Sequence, residues 1–391
     1  MKKKLLSTVM CAVMAATLLT GCSSSSISGM DTEESLSGTF KIGAIGPFTG
    51  EAAAYGNAVR WGAQIAVDEI NAAGGINGYQ VEYKAEDDEL DNNKSVDAYN
   101  KLKDWGASFI VGSTTSGCCT AVAEKSHDDN IFQITPSASA VDCIAYDNVF
   151  SACSLDTTQG TALAQYIGEH GLAGKVAVIY DSSDIYSSGV TKAFVTEAAN
   201  QGLEIVSQEA FTSDSKTDFS VQIQKAIDGQ AELIFLPIYY SEAAIILWQA
   251  AIMGNTATFL GCDSMDGILG AENFDTSLAE GIMLLTPFLA DATDDKTQNF
   301  VNTFKEAYDI VPSQFAADAY DAVYAIKAAA EKAGLTPDMS TSDICESMKS
   351  AMTEISVDGL TSLGMTWSAS GETTKESKVV IIENGTYVTA Q

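Results

Sequence analysis

Few residues of this 391-residue chain are of a kind that performs chemistry. His127 and His170 are its only histidines, so a multi-histidine metal centre cannot be assembled and a histidine-based triad has two candidates at most. Thr115-Ser116-Gly117 offers a hydroxyl outside the G-x-S-x-G frame of a nucleophile elbow. Nothing brings either imidazole beside it. His127 falls in the polar run 124–130, read as a solvated helix end, and His170 precedes Gly171 at another, where a cation suits the helix dipole. The loop 43–50, GAIGPFTG, is glycine-rich but matches neither phosphate-binding fingerprint: Pro47 removes a backbone N–H and no Lys-Ser/Thr pair follows Gly50. No catalytic residue, metal site or cofactor is expected, and a hydrolase is the least favoured class.

Six cysteines follow Cys22: Cys118, Cys119, Cys143, Cys153, Cys262 and Cys345. An even number in an exported chain permits disulfides, and the reading favours Cys118 or Cys119 joined to Cys143 or Cys153. Metal binding is the weaker alternative, since C-x-x-C pairs are absent. Export itself is read from the first residues. Lys2-Lys3-Lys4 form a positive segment, 5–19 an apolar one too short to span a bilayer, and Leu19-Thr20-Gly21-Cys22 a small-residue cleavage site ending on cysteine. This resembles a bacterial lipoprotein leader, implying cleavage after residue 21, lipidation of Cys22 and an extracytoplasmic, membrane-anchored protein. Residues 22–39, rich in Ser, Gly and acids, read as a tether.

Asp and Glu total 52 against 21 Lys and Arg, a formal charge of −31 that loss of the three leader lysines takes to −34, and Arg60 is the sole arginine. Nucleic acid is excluded as a partner, because phosphate neutralisation needs clustered basic residues. The 370 residues after the leader exceed what one core usually holds. From residue 40, short apolar runs alternate with amphipathic segments: 41–45, 56–73, 80–85, 93–105, 109–111. The alternation returns at 176–180, 188–201, 204–208, 219–227, 233–237, 241–253 and 258–261. Strands interleaved with helices argue for parallel sheets covered on both faces, an α/β unit built twice. Segments 281–288, 297–309, 315–334 and 344–353 follow, and a hairpin of 379–383 and 386–389 turns at Asn384-Gly385.

The stretch 42–78, IGAIGPFTGEAAAYGNAVRWGAQIAVDEINAAGGING, resembles the opening of the leucine/isoleucine/valine-binding protein family of ABC importers. The likeness continues through FIVGSTTS at 109–116, ITPSASA at 134–140, FLGCD at 259–263 and AYDAV at 319–323. It implies the type I periplasmic binding protein fold: two Rossmann-like lobes joined by a three-strand hinge, here 40–157 plus 287–363 and 158–286 plus 364–391. It also implies an amino acid ligand in the cleft, delivery to an ABC permease, and a monomer.

The resemblance carries roles onto matching residues. Ser116 stands where a hydroxyl and N–H hold the ligand carboxylate, although on its residues alone it reads first as a helix N-cap. Ser139 is the next contact, and the Ser137 position offers a backbone carbonyl to the ammonium. Asp263, at the end of a second-lobe strand, is the carboxylate that pairs with the ammonium. Tyr186 and Tyr239 match second-lobe aromatics over the ligand, and Tyr55 and Phe315 first-lobe positions near its side chain, though each suits core or hinge packing too. Thr114 and Thr115 depart from the family, which has an apolar residue and a cysteine there. A hydroxyl-bearing floor leaves alanine, threonine or serine as candidates beside the branched-chain amino acids. A small amide or other polar solute, sensed through a partner, is the alternative.

Overall fold

The computed structural model describes residues 37–390. The leader, Cys22 and the tether up to residue 36 lie outside the described residues.

In chain order the first lobe begins with β1 (Thr39–Gly46), α1 (Ala53–Ala72), β2 (Gln80–Asp87), α2 (Asn92–Trp105), β3 (Phe109–Val111), α3 (Ser116–Asp128), β4 (Phe132–Thr135) and β5 (Val149–Ser151). The chain then builds α4 (Asp156–His170), β6 (Lys175–Asp181), α5 (Ile185–Asn200), β7 (Glu204–Phe211), α6 (Ser220–Asp228), β8 (Leu233–Leu236), α7 (Tyr240–Ile252), β9 (Thr258–Gly261) and β10 (Met283–Thr286). Helices α8 (Asp295–Tyr308), α9 (Gln314–Ala333) and α10 (Thr341–Met352) precede the closing hairpin β11 (Lys378–Glu383) and β12 (Thr386–Thr389).

Two sheets result, ordered β2-β1-β3-β4-β5 and β12-β11-β10-β9-β8-β6-β7. The first is parallel throughout; the second is parallel except where the hairpin is added along β10. Strands β3, β4 and β8 are buried at every residue, as parallel strands covered on both faces must be. The first sheet carries one core toward α1, α8, α9 and α10 and a smaller one, around Ile45, Tyr99, Leu102 and Val122, toward α2 and α3. The second sheet is likewise double-faced. The hairpin turns at Asn384 and Gly385, both at positive φ, the requirement of a type I′ turn.

Close helix crossings set the cleft walls. A Cβ on Gly62 would lie 2.0 Å from the Ala316 carbonyl oxygen, so glycine lets α1 and α9 meet and brings Tyr55 and Phe315 side by side. Gly160 does the same for α4 against Val190 of α5, where a Cβ would stand 2.5 Å from the carbonyl oxygen.

The chain passes between the sheets three times, after β5, after β10 and before β11. Ahead of the third passage Met365 and Trp367 pack into the first core, and Trp367 Nε1 donates to the Ser151 carbonyl at 2.8 Å. Within it Lys375 is buried against Asp318 of α9.

The expected bridge from Cys118 or Cys119 to Cys143 or Cys153 is not formed: all six described cysteines are free and buried. Cys119 and Cys143 are nevertheless neighbours, while the others lie apart. The Cys118 thiol faces Asp88 and Ser95, Cys119 and Cys143 share a pocket with Ala138 and Ala140, and Cys153 meets the Ser151 hydroxyl at 3.3 Å. Among the described residues no cluster of His, Cys, Asp and Glu could hold a metal ion, and no helix is long and apolar enough to cross a membrane.

Candidate functional site

A small cavity of ≈ 20 Å³ lies between the lobes, lined by Tyr55, Thr114, Thr115, Ser116, Ser137, Tyr186, Tyr239, Asp263, Ser264 and Phe315. Nine of these ten were named from the sequence, and the fold gathers them from α1, the loops after β3 and β4, α5, the loop before α7, the turn after β9, and α9.

Ser116 opens α3, with Thr115 as the N-cap residue in extended conformation. Its Oγ accepts the N–H groups of Ser139 and Ala140, each at 3.2 Å. The acceptor side of the hydroxyl is thereby filled and its proton is left to donate. The first-turn N–H groups of a helix have no intrahelical partner, so this end presents donors and a positive dipole to the cavity. Ser139 is absent from the lining. Its Oγ donates to Asp156 Oδ1 at 2.6 Å, and burial pushes the Asp156 carboxyl up to about 8. Ser139 thus braces Ser116 from behind. Ser137 Oγ donates to the Thr114 carbonyl at 2.6 Å, and Thr114 Oγ1 to the Ile45 carbonyl at 3.3 Å.

Asp263 faces these donors from the other lobe. Its Oδ2 accepts from Gln159 Nε2 at 2.8 Å, and its Oδ1 from the Tyr186 hydroxyl at 2.8 Å and the Ser264 N–H at 2.7 Å. Burial raises its pKa, partly offset by those donors. No ion pair reaches it among the described residues, so it is a buried carboxylate whose cation is not supplied by the described protein. Tyr186 and Tyr239 stack at 5.9 Å with planes 15° apart, and Tyr55 meets Tyr239 and Phe315 at 5.6 and 4.7 Å. The Tyr239 hydroxyl donates to Asp184 Oδ2 at 3.2 Å.

Residues the sequence reading missed hold the walls together. The Tyr55 hydroxyl donates to the Ser264 carbonyl and accepts the Tyr240 N–H at 3.0 Å. From α9, the Gln314 side chain donates to the Asp263 carbonyl at 3.1 Å, and its backbone N–H to Asp266 Oδ2 at 2.9 Å. At the cleft mouth Lys216 bridges Glu51 of the first lobe and Glu242 of the second. His127 stacks on Tyr146 and His170 packs on Tyr166, both away from the cavity.

Comparison with known proteins agrees with this architecture. Residues 39–386 match the family model described as periplasmic binding protein. The chain is 32% identical over 303 residues to a Leu/Ile/Val-binding protein homolog of Brucella melitensis, covering 76% of this chain and 80% of that one. It is 30% identical over 311 residues to the leucine-, isoleucine-, valine-, threonine- and alanine-binding protein of Pseudomonas aeruginosa, covering 79% and 82%. Among solved structures, the branched-chain amino acid transporter substrate-binding protein LivJ of Streptococcus pneumoniae, in complex with isoleucine, superposes with a TM-score of 0.80 at 29% identity, over 90% of this chain and all of that one. The leucine-binding protein LivK of Thermotoga maritima gives 0.81 at 25%, over 90% and 98%. With its doubly built α/β architecture and these likenesses, the chain belongs to the periplasmic binding protein family, whose members bind substrates for ABC importers rather than transform them.

Proposed function

We propose that this protein is an extracytoplasmic lipoprotein, anchored through Cys22, that captures a small neutral amino acid between its lobes and delivers it to an ABC permease. The observation that carries this reading is the opposition of a buried carboxylate without a cation to a helix N-terminus across one cavity. A zwitterion supplies what each side lacks: its ammonium partners Asp263, and its carboxylate takes the Ser116 hydroxyl and the free N–H groups of α3. The Ser137 carbonyl lies on the ammonium side, Ser139 acts through Ser116, and Tyr55, Tyr186, Tyr239 and Phe315 enclose the side chain beside Thr114 and Thr115. The relatives, whose names specify leucine, isoleucine, valine, threonine and alanine, support an amino acid of this size.

Capture is by hinge closure about the three passages, with lobes at 40–157 plus 287–363 and 158–286 plus 364–391, the start of the last segment remaining docked on the first lobe. The protein acts as a monomer. Calorimetric titration of the refolded, ligand-stripped protein tests this reading: it predicts one-to-one binding of a small neutral amino acid without turnover, and failure of all standard amino acids to bind would reject it. Fatty-acid labelling tests the anchor, which requires incorporation that Cys22→Ser abolishes.

A further inference from the structure

Helices α7 and α9 both begin at the cleft, α7 in the second lobe and α9 in the first. Neither is capped by its own N-cap residue: Tyr239 and Ser313 make no side-chain bond to the first turn. The first amides of a helix have no intrahelical partner, and one buried unpaired is costlier than one left in water. Here the first amide of each helix is met from across the cleft. The Tyr240 N–H of α7 donates to the hydroxyl of Tyr55, on α1 of the first lobe, at 3.0 Å. The Gln314 N–H of α9 donates to Oδ2 of Asp266, in the second lobe, at 2.9 Å.

Both acceptors are buried, Tyr55 at 3% exposure and Asp266 at 5%. The Tyr55 hydroxyl also donates to the Ser264 carbonyl, so its proton is committed to the second lobe, while its ring packs on Tyr239 and Phe315 beside the cavity. Asp266 stands outside the cavity lining. The Gln314 side chain adds a bond to the Asp263 carbonyl at 3.1 Å. Residues 263–266 thus take three hydrogen bonds from the first lobe, on the same turn that presents the Asp263 carboxylate to the cavity. Each of these bonds joins one lobe to the other. Parting the lobes breaks all of them and returns their groups to water, so they favour the closed form alone.

We infer that the Tyr55 hydroxyl and the Asp266 carboxylate are the positioning groups of a reciprocal latch, each capping a helix of the opposite lobe, and that this latch sets how long the closed form retains its ligand. The inference rests on the amino-acid reading of the cavity and on hinge closure, and goes beyond them by naming the groups that hold the lobes shut.

The test is the split between association and dissociation. Each standard amino acid is mixed by stopped flow with ligand-stripped wild type, Tyr55→Phe, Asp266→Ala and Asp266→Asn. Tyr55→Phe keeps the ring and removes the hydroxyl; Asp266→Asn keeps an acceptor oxygen that Asp266→Ala removes. For the amino acids that bind, Tyr55→Phe and Asp266→Ala are expected to release them about tenfold or more faster at an unchanged association rate. Both variants keep the wild-type order of preference and the wild-type ligand-free melting temperature, and Asp266→Asn restores slow release. If Asp266→Ala does not fold, Tyr55→Phe decides alone. Unchanged release in Tyr55→Phe overturns the latch, as does an altered order of preference, which would make its hydroxyl a ligand contact; in either case the amino-acid reading stands. Silence of every standard amino acid with wild type overturns both.

Discussion

The two walls of the cleft solve the same problem with different materials. The first-lobe wall is neutral: hydroxyls, backbone N–H groups and the N-terminus of α3. The second-lobe wall carries a formal charge, Asp263, held by Gln159 and Tyr186 beneath stacked rings. Preorganised dipoles recognise a carboxylate without a fixed cation, so the single arginine of a chain with 52 acids is no obstacle to the proposed amino acid ligand. In the proposed function an ammonium, by contrast, is met by the Asp263 carboxylate, which three donors hold in place and for which the ligand supplies the cation.

Substitutions can break that asymmetry. Asp263→Ala removes the ammonium's one charged partner and is expected to weaken binding by ~3–5 kcal/mol while leaving ligand-free stability unreduced; calorimetry and thermal melting measure the two. Retained affinity would mean that the charge asymmetry is not used.

The buried acids behind the walls predict a pH effect. Asp156 is raised to about 8 and Asp88 and Asp266 to about 6, each chiefly by burial. These groups bind protons more tightly in the folded state than in the unfolded one, so their contribution is fully present below about pH 4 and is lost as pH rises toward about 8. The ligand-free protein should therefore melt at progressively lower temperature between pH 5 and 8, and Asp156→Asn should flatten the upper part of that slope. A melting temperature that climbs over this interval would contradict the assignment.

Ser116→Ala is expected to cost ~1–3 kcal/mol of affinity, because it removes a donor to the carboxylate and orphans the Ser139 and Ala140 N–H groups; restoration by Thr would show that the hydroxyl is what counts. The smallest effect belongs to the mouth. Lys216→Ala should weaken binding by ~0.2–1 kcal/mol, and the difference should shrink as salt is raised, since its pairing with Glu51 is exposed to solvent.

Much of this was legible because local rules coincide with global ones. The 41–45 strand, the 56–73 helix with its Gly74-Gly75 stop and the Asn384-Gly385 hairpin are local statements that the fold repeats. Strands β4 and β5, of four and three residues, are too short for a period to show. The missed site residues fail for another reason. Gln159 and Gln314 each lie near the start of an amphipathic helix, indistinguishable from surface polar residues until the fold brings Asp263 against them, from the same lobe for Gln159 and from the other for Gln314. Ser264 was hidden beside the Asp263 that drew attention. The free thiols show the converse: even number and export permit bridges without requiring them, and even the neighbouring Cys119 and Cys143 stay unbridged.

Helix α9 has no side-chain cap from its own Ser313; the Gln314 N–H is held by Asp266 of the other lobe. A helix of 20 residues, about 30 Å long, thus borrows its cap across the cleft. Parting of the lobes returns that amide to water, and amide hydrogen exchange at Gln314 becomes an intrinsic clock of opening, slowed by ligand and readable without any attached probe.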